Sequence, residues 1–171
     1  ALAQLSGSIK SIYSTKHLPL DIPPMIREAT AIHTAYPDFL RDGLRQRILH
    51  EDANPFLADQ FQQVDGGQEM REEIAGGEPC IILSTSGMVT GGPIMSWLEL
   101  LGGDPENTLI FVGYQAQGTL GRRIQSGRRE IPFSDRGGRS EQLTLHFDVE
   151  TVSGFSGHAD RNGLEDFVGT M

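Results

Sequence analysis

The sequence predicts an α/β fold: a three-layer arrangement with a mostly parallel sheet flanked by helices. Two apolar runs, "PCIILSTSG" and "NTLIFVGYQ", end abruptly in small polar or glycine residues, as strands buried on both faces of a parallel sheet do. Between them, "MVTGGPIMSWLELLGG" opens on Gly91, Gly92 and Pro93 and closes on Gly102 and Gly103, the punctuation of a helix. Strand, glycine-bearing turn, helix and strand in that order form a βαβ unit. A chain of 171 residues can bury one substantial core, so a single domain or one part of a larger protein is expected.

The elements follow in order. The first 17 residues hold a helical pattern interrupted by "SGS", and Pro19, Pro23 and Pro24 then break it. From Met25 the pattern is regular: Met25, Ala29, Ile32 and Tyr36 recur on one helical face, with prolines at the start and Pro37 at the end. "RDGLRQRILHE" predicts a short helix, "NPFLADQFQQV" fits helix or strand, and "GGQEMREEIAGG" predicts a helix bounded by glycine pairs. Beyond the βαβ unit, "GTLGRRIQSG" begins a further helix. "EQLTLHFDVETV" alternates at Leu143, Leu145, Phe147 and Val149, which predicts one strand with a buried face, and "RNGLEDFVGTM" begins the last helix. The organisation expected is a divergent N-terminal segment, 1–24, followed by the α/β domain, 25–171.

Composition narrows the class. No stretch approaches the roughly 18 to 20 apolar residues of a membrane helix, and the N-terminus lacks a basic start followed by an apolar run, so a soluble, cytoplasmic protein without a membrane partner is expected. The single cysteine, Cys80, has no second cysteine to pair with and reads as a small core hydrophobe rather than a reactive thiol. The net charge is -9, and only two of the basic residues are lysines. Such an acidic, lysine-poor surface favours solubility where salt screens repulsion. The charge is uneven. Between Thr119 and Arg139, six arginines face only Glu130 and Asp135, a local +4 that leaves -13 for the remainder. That window reads either as a phosphate-contacting surface or as a solvated loop balancing acidic neighbours.

Three stretches carry candidate chemistry. The turn "STSGMVTGGP" can offer backbone N–H groups and hydroxyls to an anion beyond the carboxyl end of a strand, or can be an ordinary strand-to-helix connection; neither nucleotide-binding glycine pattern is present. "GYQAQGTLGRR" places Arg122 and Arg123 in the first turns of a helix, where cations oppose the helix dipole unless an external anion faces them. "SGFSGHADRNG" encloses His158 in a turn after a strand. Its imidazole can act as a general acid or phosphate donor, or the turn can be a helix cap that happens to contain histidine. His17, His33, His50 and His146 are scattered without metal-ligand spacing, so no zinc site is expected within this chain.

Taken together, "STSGMVTGGP", "IFVGYQAQGTLGRRIQSG" and "VSGFSGHADRNGLEDFV", with "MIREATAIHTAYPDFL" and "HEDANPFL" before them, resemble the β-CASP domain of metallo-β-lactamase-fold ribonucleases, in particular the archaeal cleavage and polyadenylation specificity factor group. The resemblance runs from about Met25 to the end. It implies a Rossmann-like β-CASP domain beside a metallo-β-lactamase domain of the same full-length chain, with RNA in the cleft between them. It implies that His158 is catalytic, stabilising the scissile phosphate or protonating the leaving oxygen, and that Ser86, Gly87, Arg122, Arg123, Ser156 and Gly157 contact RNA phosphates. Zinc is implied for the full-length enzyme, its ligands lying outside this sequence, and no cofactor for this part alone. The alternative is a non-catalytic β-CASP relative that serves as a scaffold in an RNA-processing complex, which the presence or absence of H-x-H-x-D-H in the flanking coding sequence would decide.

The residues present can hold and polarise a phosphate, but nothing in them generates a nucleophile. The isolated 171-residue chain is therefore expected to be inactive as a nuclease. Incubation with labelled RNA and zinc should leave the substrate intact, and zinc-dependent cleavage would refute the expectation.

Overall fold

The structure is a computed structural model that describes residues 18–51, 54, 61–134, 140–153 and 161–170. Its described part is α/β. Strand β1 (Leu18–Asp21) lies between β2 (Phe61–Gln63) and β3 (Leu83–Ser84), parallel to both. β4 (Thr108–Phe111) pairs in parallel with β7 (Asp148–Thr151), and β5 (Glu130–Ser134) pairs antiparallel with β6 (Ser140–Thr144). Six α-helices are described: α1 (Pro24–Ala35), α2 (Asp42–His50), α3 (Gly67–Ala75), α4 (Pro93–Leu101), α5 (Leu120–Gln125) and α6 (Arg161–Gly169).

Local chemistry accounts for the helix boundaries. Pro24 begins α1, where a missing N–H costs nothing, and Tyr36 and Pro37 end it. Thr119 caps α5 by accepting the Arg122 N–H on its hydroxyl at 3.2 Å. α4 is the most apolar helix and buries Trp97 and Leu98. It ends at Gly102, whose N–H donates to the Leu98 carbonyl at 2.9 Å. A Cβ at Gly102 would overlap that carbonyl and come within 2.7 Å of Leu145 Cδ2, so the helix end and the strand region beside it meet without room for a side chain.

The core gathers Val89, Leu98, Phe111, Ile124, Ile131, Leu145 and Phe147. It is enclosed by α4, α5, β4 and the β5–β6 hairpin. Away from that cluster, the Asp21 carboxylate at the end of β1 is only 4% exposed. It accepts from Arg71 Nε at 2.7 Å and Nη2 at 3.1 Å, and from Trp97 Nε1 at 2.9 Å. One buried anion thus joins β1 to α3 and α4.

Four details differ from the sequence reading. The expected single strand over 141–152 is two, because the backbone leaves the hairpin at His146: Leu145 N–H still donates in hairpin register to Arg129 O at 2.8 Å, whereas His146 N–H donates to Gly102 O at 2.7 Å. Leu145 and Phe147 still face the core, so the alternation reported which side is buried but not which neighbour pairs. The run "PCIILSTSG" pairs only at Leu83 and Ser84. Ile81 and Leu83 are each 41% exposed, since β3 is an edge among the described strands. Cys80 is half-buried, and burial pushes its thiol pKa up, away from reactive thiolate chemistry. The face of α1 bearing Met25, Ile32 and Tyr36 is exposed, and with His33, Phe39 and Leu40 its C-terminal half lines a groove of about 400 Å³. The helical pattern noted in the first 17 residues falls outside the described residues.

Removing the buried anion leaves Arg71 and the Trp97 N–H without their partner. Asp21→Ala should destabilise the chain by about 3–5 kcal/mol. Trp97→Phe, which frees one carboxylate lone pair, should cost about 1–3 kcal/mol. Urea denaturation checks both, and an Asp21→Ala loss below that of Trp97→Phe would contradict the assigned role.

Candidate functional site

The two glycine-rich turns that follow β3 and β4 meet at the carboxyl ends of those strands, where ligands collect in α/β sheets. The first turn is entered from Ser84, and Thr85 N–H donates to the Asp21 carbonyl at 3.3 Å. It then closes tightly, with Val89 N–H on the Ser86 carbonyl at 2.7 Å and both Ser86 (φ 65°) and Val89 (φ 56°) in the left-handed region. That region is costly for a β-branched residue. Val89 is 2% exposed and packs into the core, so its burial offsets the strain and anchors the turn. Gly92 (φ 75°) completes the turn, and a Cβ there would sit 2.7 Å from Ser86 Oγ.

The second turn is stitched to the first. Gln115 Nε2 donates to Gly87 O at 2.7 Å and to Gly113 O at 3.2 Å, and Gly121 N–H donates to Met88 O at 3.0 Å. Gly121 has no space for a side chain: a Cβ would overlap Gln115 Oε1 and lie 2.9 Å from Met88 O. Arg122 and Arg123 follow directly and are exposed, so the structure brings the start of α5 against the turn that holds Ser86 and Gly87.

Several polar groups of the first turn are left over. The buried hydroxyls of Ser84 and Thr85 have no hydrogen-bond partner among the described residues. The backbone N–H groups of Ser86, Gly87 and Met88 likewise donate to no described acceptor. Buried polar groups are normally satisfied. Consecutive free amides around a left-handed residue form the kind of concavity that accepts an anion.

The arginine window divides. Arg128 Nε donates to Glu130 O at 2.7 Å, bracing the hairpin, and Arg129 Nη1 donates to Ile124 O at 3.1 Å, tying the hairpin to α5. Arg122 Nη1 donates to Gln125 Oε1 at 2.8 Å, and Gln125 Nε2 donates to Thr151 Oγ1 at 2.9 Å. The Arg123 guanidinium makes no hydrogen bond or ion pair among the described residues. Arg136 and Arg139 lie outside them, as do Ser156, Gly157 and His158. The strand that leads to His158 is described: β7 ends at Thr151 beside Phe111, and Val152 N–H donates to Phe111 O at 2.9 Å.

Among the described residues, no three His, Cys, Asp or Glu side chains are placed to hold a metal ion. His33 Nδ1 donates to the Ala29 carbonyl at 2.6 Å, a local helix contact. These residues do not fit zinc, and no chemical step is assigned to zinc on them. The sequence reading took in Ser84 and Thr85 among the hydroxyls of "STSGMVTGGP" and Gly121 as a position of tight backbone, but it did not single out Gln115. The abrupt polar end of the apolar run marks the two hydroxyls, whereas nothing local in "GYQAQG" marks a glutamine that reaches a residue 28 positions away.

Residues 10–124 match the Beta-Casp domain family, and residues 142–171 match the family described as the Zn-dependent metallo-hydrolase RNA specificity domain. The chain is similar to the transcription termination factor FttA of Methanocaldococcus jannaschii, with 50% identity over 150 residues, 88% of this chain and 24% of that protein. The factor of the same name from Thermococcus kodakarensis is 49% identical over 151 residues, 88% of this chain and 23% of that protein. The one from Lokiarchaeum sp. is 50% identical over 151 residues, 88% and 24%. The chain spans about a quarter of the length of these curated relatives.

Proposed function

The chain belongs to the Beta-Casp domain family, and on that premise we propose that it is the RNA-gripping part of a longer zinc-dependent ribonuclease that acts on transcripts. The observation that carries this reading is the joined pair of turns: free amides at Ser86, Gly87 and Met88, with Arg122 and Arg123 following the stitch at Gly121. A phosphate seated on the first turn takes directional hydrogen bonds, and the arginines neutralise phosphates along the same strand. The match of the C-terminal residues to an RNA specificity domain supports RNA as the ligand. The name carried by the relatives supports a role of the whole protein in transcription termination. In this reading Ser156 and Gly157 extend the phosphate contacts and His158 donates to the scissile phosphate or the leaving oxygen. Zinc and the metallo-β-lactamase domain are supplied by the longer protein, in the cytoplasm, and the β-CASP part takes in β1 ahead of the expected start at residue 25, a reading supported by the family match from residue 10 and by the central place of β1 in its sheet.

Two measurements on the full-length protein test the reading. Arg122→Ala with Arg123→Ala should weaken binding of a labelled single-stranded RNA and lower the slope of log affinity against log salt by about 0.7 per arginine. Filter binding over a KCl series that returns the parental slope and affinity would remove the arginines from the interface. His158→Ala should slow RNA cleavage by about a hundredfold or more while zinc content stays constant. Unaltered turnover would take His158 out of the mechanism.

A further inference from the structure

We propose that Gln115 is a positioning residue for RNA: it orients the Gly87–Met88 peptide of the first turn and holds that turn in register with Arg122 and Arg123. The inference rests on the RNA-binding reading above and concerns a residue that touches no RNA itself.

A glutamine between Tyr114, which is 77% exposed, and Ala116 would ordinarily stay in water, yet Gln115 is only 4% exposed. Burying a primary amide is unfavourable unless its hydrogen bonds are made. Both Nε2 hydrogens are used, on Gly87 O at 2.7 Å and Gly113 O at 3.2 Å. Those two carbonyls also settle which end of the amide is which, because the reversed orientation would set Oε1 against two oxygens. Oε1 has no hydrogen-bond partner and lies against the Cα of Gly121. Methionine or leucine would fill the same space with no unpaired oxygen. The amide therefore serves through what Nε2 donates to.

What it donates to is the backbone of the anion-accepting turn. The chain holds no cis peptide among its described residues, and across a trans peptide the C=O and N–H point in opposite directions. Drawing the Gly87 carbonyl inward onto Gln115 turns the Met88 N–H the other way, towards the side on which Gly87 is exposed. Glycine imposes little restraint on its own peptide orientation, so without that bond the 87–88 peptide is free to rotate. The same side chain also spans the two turns. With the Gly121 N–H to Met88 O bond it fixes how far Ser86 and Gly87 lie from the arginines at the start of α5. Preorganised donors bind a phosphate without a reorganisation cost at the moment of binding.

The test uses the full-length protein and a labelled single-stranded oligoribonucleotide. Gln115→Met keeps the volume and removes the donor; it should raise the RNA dissociation constant and KM about tenfold, equivalent to ~1.4 kcal/mol, with kcat within about twofold of the parent. The salt slope should not change, because no cation is lost. Gln115→Glu, of the same shape but aiming a carboxylate at two carbonyls, should lose more than Met, and Gly121→Ala, which displaces the amide, should resemble Gln115→Met. A purely structural role predicts the opposite pattern: a lower Tm, with RNA affinity and KM of the folded protein unchanged. That result, or equal affinities for the Gln, Met and Glu proteins, would overturn the inference. If Arg122→Ala with Arg123→Ala weakens binding while the Gln115 variants do not, the inference falls and the RNA-binding reading stands. If neither set has an effect, that reading falls as well.

Discussion

Asp21 ends the middle strand of a three-stranded parallel sheet, and its buried carboxylate draws donors from Arg71 and Trp97, 50 and 76 residues further along the chain. An unpaired charge in that position would be strongly unfavourable, so the pairing constrains α3 and α4 to pack where their donors can reach it. The main chain of the same residue matters as much. Its carbonyl accepts the Thr85 N–H, which sets the point at which β3 ends and the first glycine-rich turn begins. One residue therefore orders a helix pair with its side chain and the entrance of the candidate site with its backbone.

From that entrance the site is built by close approach rather than by charged clusters. Val89 holds the turn down by burying its side chain, Gly92 admits the Ser86 hydroxyl, and Gly121 admits Gln115. The polar groups left over, two hydroxyls and three amides, lie on the turn that these contacts immobilise. The candidate cations are the arginines that the hairpin does not use. Arg128 and Arg129 are spent on the carbonyls of Glu130 and Ile124, and Arg122 and Arg123 remain exposed directly after Gly121, which is bonded to the turn.

The helices were legible in the sequence because their signals are local. Proline at a first turn and glycine pairs at an end act within a few residues, and α1, α3 and α4 fall where those signals put them. Pairing is not local. The alternation through Leu145 and Phe147 identified the buried side, but the exchange of partners there depends on a carbonyl at Gly102. The apolar run before Ser84 looked like an interior strand, and only the order of strands reveals it as an edge. The glycine turns could be recognised as possible anion sites, yet their meeting could not, because Gln115 is a common loop residue whose importance comes from a partner far away in sequence. Ser156, Gly157 and His158 lie outside the described residues, so their part rests on the motif alone.

The β5–β6 hairpin also has a bearing on how the chain reaches this arrangement. β4 and β7 are parallel partners with α5 and the whole hairpin between them, so their pairing closes a long loop. The hairpin pairs neighbours in sequence, from Glu130 with Thr144 to Ser134 with Ser140, and such local pairing forms on a timescale of about 1–10 microseconds. Once formed, it removes its residues from the flexible length that must be closed, which lowers the entropic cost of joining β7 to β4 by roughly 0.5 kcal/mol. The segment that leads to His158 is thus carried to the carboxyl edge of β4 by a chain already shortened by its own local folding.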